Sequence, residues 1–410
     1  MNQEHLNNYA KLIVRVGANV KPHQRVVVQA DLDQPEFVYK VVEEAYKCGA
    51  DKIEVEWSYQ PLTRLHVQNR PQSVITEVEN WEIEKLRSRH DRLPAMIYLL
   101  SEDPDGLSGI DREKYAAMVG ARYRAFKKLR DEMENRYQWC IAAVPGKKWA
   151  KKMFPDFSDE GAVEALWEAI LKTSRCTDDG IAAWNDHNRR LKARCDWLNS
   201  QHFDALRYHS SNGTDLTVGL MPNALFLGGG ETTLSGNFFN PNIPSEEVFT
   251  TPMRGRAEGI VYSSKPLCYR GELIENFYLK FENGRVTESH AEKNDALLTT
   301  LLNMDEGARY LGECALVPYD SPIQNSGLLF YNTLFDENAA CHLALGEGFS
   351  NCIKDFAHYS LEECRKMGVN ESMIHEDFMI GTKDLEIFGV LSDGAEVPIF
   401  KNGNWAEELI

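Results

Sequence analysis

The chain is expected to form two domains: an open α/β domain with a mainly parallel sheet, followed by an α+β domain with a mixed sheet. Three observations predict this. The first half alternates short β-branched runs with helical stretches of ten residues or more, which is the pattern of a parallel sheet covered on both faces. Near residue 200 the pattern changes to short strands separated by Asn-Gly turns. The length of 410 residues, 43% of them hydrophobic, suffices for two ordinary cores. The boundary is placed at 197/198, giving an N-terminal domain of residues 1–197 and a C-terminal domain of residues 198–410.

The elements follow in order. Residues 8–19 present Tyr9, Leu12, Ile13 and Val16 at helical spacing. Residues 25–30 form a β-branched strand. Pro35 opens a helix that Gly49 stops. Residues 52–57 alternate as a strand, 74–90 form a charged helix, 95–100 a third strand, 110–136 a long charged helix and 137–144 a fourth strand. Helices follow at 159–173, with Ser158 or Asp159 as N-cap, and at 178–200. Beyond them, Asn212-Gly213 joins strands 205–211 and 214–220, Asn283-Gly284 joins 276–282 and 285–290, and Asn402-Gly403 marks a third turn. No internal repeat or low-complexity segment is present.

Composition excludes several classes. A net charge of −17 argues against nucleic acid as a partner, because phosphate binding needs a basic footprint. No apolar run approaches the length of a membrane span, and residues 1–11 do not read as a secretory leader. Nine scattered cysteines without a CxxC pair fit reduced thiols in a cytoplasm. Cys341, beside His342, reads as a small buried residue rather than a nucleophile or ligand. No G-x-G-x-x-G follows the first strand and no phosphate-binding loop occurs, so a nucleotide site is unsupported.

Possible metal ligands concentrate in the second half. Glu246 and Glu247 are adjacent in a stretch stiffened by Pro241, Pro244 and Pro252. Glu313 opens an apolar strand, where it is either solvated at a rim or held by a cation. Glu337 precedes His342, which leads into an apolar, glycine-punctuated run; a satisfied core histidine is the alternative there. His375 and Asp377 share one side of an extended segment, because side chains alternate with period two; a surface pair is the alternative. Glu347 and Glu376 read as ordinary solvated charges. Four carboxylates (Glu247, Glu313, Glu337, Asp377) and two imidazoles (His342, His375) suit two divalent ions, zinc, cobalt or manganese. They do not suit calcium or a structural cysteine–zinc cage. No H-E-x-x-H occurs, which excludes a mononuclear zincin.

Taken together, four strings resemble the M29 family of metallo-aminopeptidases, the aminopeptidase T, aminopeptidase S and PepS group: Asn240–Pro252, Leu311–Val317, Phe335–Gly346 and His375–Gly381. The resemblance covers essentially the whole chain. It implies that Glu247, Glu313, His342, His375 and Asp377 fall where the family holds two metal ions, with Glu337 at a further acidic position. Glu246 is then the general base, or the group that orients the attacking water. The family commonly has a tyrosine seven residues after the motif histidine, and Phe349 stands there in this chain. The resemblance implies a homodimer that releases N-terminal residues from short peptides through a water activated by two metal ions; the cysteines place it in the cytoplasm. The alternatives are another dinuclear metal-dependent amidase or esterase, or an inactive binding protein on the same fold.

Overall fold

The structure, a computed structural model, describes residues 2–406; residues 407–410 of the expected second domain lie outside them. The chain forms two compact units. One comprises the chain through Asn185 together with Gly230–Pro244, and the other comprises Asp186–Gly229 together with the chain from Ser245 onward. The expected boundary at 197/198 therefore falls within a helix, Gly180–Gln201. Composition changes where the hairpins begin, whereas compactness follows packing, and the helix divides between Asn185 and Asp186.

The first unit is built on a five-stranded sheet. Its order is Asn242–Ile243, Trp139–Ala143, Ala95–Leu100, Arg25–Asp31, Lys52–Ser58, and every pairing is parallel. Four of these strands are legible in the sequence. The fifth, Asn242–Ile243, comes from the proline-stiffened stretch far along the chain, and local pattern does not reveal it. The first helix runs Gln3–Leu12 and continues as a π-helical turn, Ile13–Gly17. The single helix expected at 74–90 is instead two, Gln72–Ile75 and Asn80–Arg92, separated at residues 76–79, and a further helix, Gln60–Asn69, which was not expected from the sequence, precedes them and ends before Pro71. Ser158 caps Asp159–Thr173 by accepting from the Gly161 amide. Tyr9, Phe37 and Trp167 pack ring against ring in the core. The Tyr9 hydroxyl donates to the Ala143 carbonyl at 3.1 Å, which satisfies its polar tip.

The second unit contains two larger sheets, one of nine strands and one of five. The anticipated hairpins are present as Ala205–His209 with Asp215–Leu220 and Glu272–Glu282 with Arg285–Lys293. Asn283-Gly284 and Asn402-Gly403 both have positive φ at each residue, the requirement of a type I′ turn. Every strand pairing described in this unit is antiparallel. The mixed sheet expected from the sequence is thus replaced by separate antiparallel sheets, which need no crossover helix between paired strands.

The five-stranded sheet positions the chemistry. Its order is His375–Met379, His342–Gly346, Leu311–Leu316, Val248–Thr250, Leu227–Gly228. Directly opposed residues share a face. Val248, Leu316, Cys314, Leu343, Leu345 and Phe378 lie on one face and enter the large apolar core of the unit. The opposite face carries a row Leu227–Phe249–Ala315–His342–Met379, and beside it Glu313–Ala344–Asp377. One irregularity is essential. Leu311 opposes Leu345 whereas Glu313 opposes Ala344, so a bulge at Gly312 turns Glu313 away from the core face that Leu311 occupies. A Cβ on Gly312 would sit 2.2 Å from the Glu347 carbonyl oxygen, so only glycine fits there.

Candidate metal centre

Two sets of donor atoms converge on that face. Glu247, Glu313 and His342 offer donors within 4.8 Å of one another, and so do Glu313, His375 and Asp377. Glu313 is common to both. His342 Nε2 lies 3.3 Å from Glu247 Oε2, and His375 Nε2 lies 3.0 Å from Glu313 Oε2 and 3.3 Å from Asp377 Oδ1. The His375 ring is oriented by its Nδ1, 2.7 Å from the Glu347 carbonyl, and the His342 Nδ1 faces the Ala340 carbonyl at 3.3 Å. In each imidazole the carbonyl fixes a protonated Nδ1 and leaves Nε2 for the cluster.

Glu337 is buried and joins neither triad, but it feels both. Burial pushes its carboxyl well above the usual range, and the charges of Asp377, Glu247 and Glu313 add to the effect. Glu246 is also buried, at 4% exposure, and its Oε2 lies 3.9 Å from His187 Nε2. The two adjacent glutamates therefore diverge: Glu247 reaches the donor cluster and Glu246 faces His187. His187, from the Gly180–Gln201 helix, donates from Nε2 to the Ser245 carbonyl at 2.7 Å. Asn338 ties the two acidic segments together. Its Oδ1 accepts the Glu246 amide at 2.7 Å, while its Nδ2 donates to the Leu334 carbonyl and to Glu337 Oε1. Sequence reasoning missed both His187 and Asn338. The position of Asn338, directly after Glu337 in a matched string, was the available signal; His187 sits in an ordinary charged helix and had none.

The electrostatics describe a deep negative well. Burial raises the Glu313 carboxyl, His375 opposes it, and the net value is about 7. Burial pulls the His342 imidazole down, but Glu247 and the other carboxylates outweigh it and hold it at about 9. His375 likewise lies well above its ordinary value, because Asp377 and Glu313 overcome its burial. Asp377 is lowered: the neighbouring His375 outweighs its own burial. Its Oδ1 is buried and accepts no hydrogen bond. Four carboxylates against two imidazoles leave excess negative charge even with both rings protonated, and buried charge of this kind needs cations or protons. The oxygen and imidazole donors fit divalent transition ions.

Two neighbouring acids differ from expectation. Glu376 is half-buried on the core-side face and burial pushes its carboxyl up to about 8. Glu347 accepts the Ser372 amide and faces Arg365 at 3.7 Å. Neither is an ordinary solvated charge. Cys341 is buried on the core side and exchanges hydrogen bonds with Val317, its thiol pushed up to about 12 by burial.

A buried oxygen–imidazole donor set of this composition defines a divalent-cation protein. Residues 2–405 match the family described as thermophilic metalloprotease (M29). The chain is 43% identical to aminopeptidase AmpS of Bacillus subtilis over 98% of both chains. It is 41% identical to aminopeptidase 2 of Geobacillus stearothermophilus over 99% of both. Among solved structures, wild-type AmpT from Thermus thermophilus matches with a TM-score of 0.90 at 38% identity, covering 98% of this chain and 99% of that one. The chain belongs to the M29 metalloprotease family. It is accordingly a hydrolase acting on peptide bonds, with a divalent metal as its cofactor.

Proposed function

We propose that the protein is an aminopeptidase that releases N-terminal residues from short peptides at a centre of two divalent ions, zinc, cobalt or manganese. Glu313 carries this reading: it belongs to both donor triads, so one carboxylate can serve two cations. Glu247 and His342 would complete one set and His375 and Asp377 the other, with Glu337 adding a carboxylate to the cluster. When bound, such ions lower the pKa of water toward neutrality and polarise the substrate carbonyl.

The chain's own groups supply the rest. Glu246 takes the proton of the attacking water and returns it to the leaving amine. Asn338 holds the Glu246 backbone in place for that task. An aminopeptidase acts on a free α-amine, which an N-acetylated peptide lacks. A homodimer acting in the cytoplasm completes the proposal; all nine cysteines are free, which suits a reducing compartment.

The experiment is a panel of short peptides, free and N-acetylated, with the protein stripped by a chelator and then reloaded. Hydrolysis of the free peptides is expected to vanish on stripping and to return with zinc, cobalt or manganese, while the acetylated peptides stay intact. Undiminished hydrolysis after exhaustive chelation, or cleavage of acetylated peptides, overturns the reading.

A further inference from the structure

The face of the five-stranded sheet that bears the carboxylates also bears a small apolar cluster. Phe249, Ala315 and Cys352 are buried there, and Leu227 and Phe349 are half-buried against them. Ladder register sets the spacing. Leu227 opposes Phe249, Phe249 opposes Ala315, and Ala315 opposes His342. Phe249 thus lies two strands from His342, on the order of 10 Å at ordinary strand spacing. Ala315 occupies the strand between them, and its methyl alone covers little of that span.

Phe349 closes the cluster toward the donors. Its ring meets the Phe249 ring edge-on at 5.4 Å and lies 4.9 Å from the His375 ring. Its amide donates to Thr251 Oγ1 at 2.7 Å, which pins the backbone that carries it. Apolar surface left half-open beside a charged cluster gains free energy when an apolar group covers it.

We infer that Leu227, Phe249 and Phe349 receive the side chain of the substrate's N-terminal residue and select large apolar ones such as leucine, methionine and phenylalanine. This rests on the aminopeptidase reading. In such a substrate the first side chain branches one atom from the scissile carbonyl, whereas the second branches two atoms beyond it. The cluster that borders the donors therefore meets the first. Its own side chains are apolar apart from the Cys352 thiol, so a charged side chain lying against them would lose hydration. Each methylene of difference in an apolar pocket is worth about 10-fold or more in discrimination.

The test uses the zinc-loaded full-length protein. Binding of leucine, phenylalanine, glycine and aspartate hydroxamates is measured by calorimetry, and kcat/KM is measured on the matching aminoacyl amides. Leucine and phenylalanine hydroxamates are expected to bind at least about 10-fold tighter than the glycine and aspartate compounds. Leu227→Ala and Phe349→Ala should each shrink that preference. Leu227→Trp, which fills the surface, should turn it against phenylalanine. Equal binding of all four compounds, or variants that weaken all four alike, overturns the inference. So does a selectivity that follows the second residue in a dipeptide series. Preferential binding without hydrolysis would sink the aminopeptidase reading and leave the apolar subsite standing.

Discussion

Replacing Glu313 by glutamine should move stability and function in opposite directions. In the metal-free protein this carboxyl is pushed from 4.5 to about 7. At 1.36 kcal/mol for each tenfold, keeping it ionised at pH 8 costs on the order of 3 kcal/mol relative to the unfolded chain. Glutamine has nearly the same shape and no charge, so the metal-free variant should be at least as stable as the parent and up to about that much more so. Cations reverse the order. Glu313 is the one residue shared by both donor triads, so its loss should weaken both ions at once. A cation present at 100 times its Kd stabilises a protein by about 2.7 kcal/mol, and the variant should lose most of that gain. Turnover should fall by about 10²–10³. The assay is thermal unfolding in chelator and in zinc, beside kcat on a leucine amide. A variant with the parent's zinc-induced rise in Tm and more than a tenth of its turnover would refute the reasoning.

Three further outcomes are expected. Raised carboxyls and imidazoles contribute stability that is present at low pH and lost as pH climbs through their folded values, here about 7 for Glu313, 8 for Glu376 and 9 for His342. The metal-free Tm should therefore fall between pH 6 and 9 while metal affinity rises, because the ligands must be deprotonated to bind; parallel pH profiles with and without zinc would contradict this. Asn338→Leu leaves the buried Glu246 amide without its acceptor, at about 1–3 kcal/mol, and should lower kcat about 10-fold with little change in KM. Gly312→Val drives a side chain into the Glu347 carbonyl and should cost about 1–3 kcal/mol. It should also abolish zinc uptake by undoing the bulge that aims Glu313; normal zinc content in the folded variant would show that the bulge is incidental.

Much of the first unit can be read directly from the chain, because its signals are local. The Ala95–Leu100 strand is a continuous run of apolar and aromatic residues, and Arg25–Asp31 carries the β-branched run Val26–Val28 at its centre, as strands in the middle of a covered parallel sheet should. The Asn-Gly turns announce their hairpins because few other dipeptides tolerate two positive φ angles. The candidate donors are likewise visible as residue types in suggestive surroundings: His375 and Asp377 share a face because a strand has period two.

Period two does not say which strand lies beside which. The pairing of Asn242–Ile243 with Trp139–Ala143 is a contact between distant segments, and nothing in either segment names the other. The same holds for the site. Sequence alone determined that acids and imidazoles of the right kind are present, and that Glu246 and Glu247 are held in a stiff segment. Only tertiary structure decided that Glu247 turns to the donor cluster and Glu246 to His187. Only it decided that a one-residue bulge swings Glu313 onto the face of His342 and Asp377, and that Phe249 stands in the row of His342. The physical reason is that ladder register and sheet order are set by packing the opposite face into the core. That choice is made by many apolar residues at once and is written in no single stretch of chain.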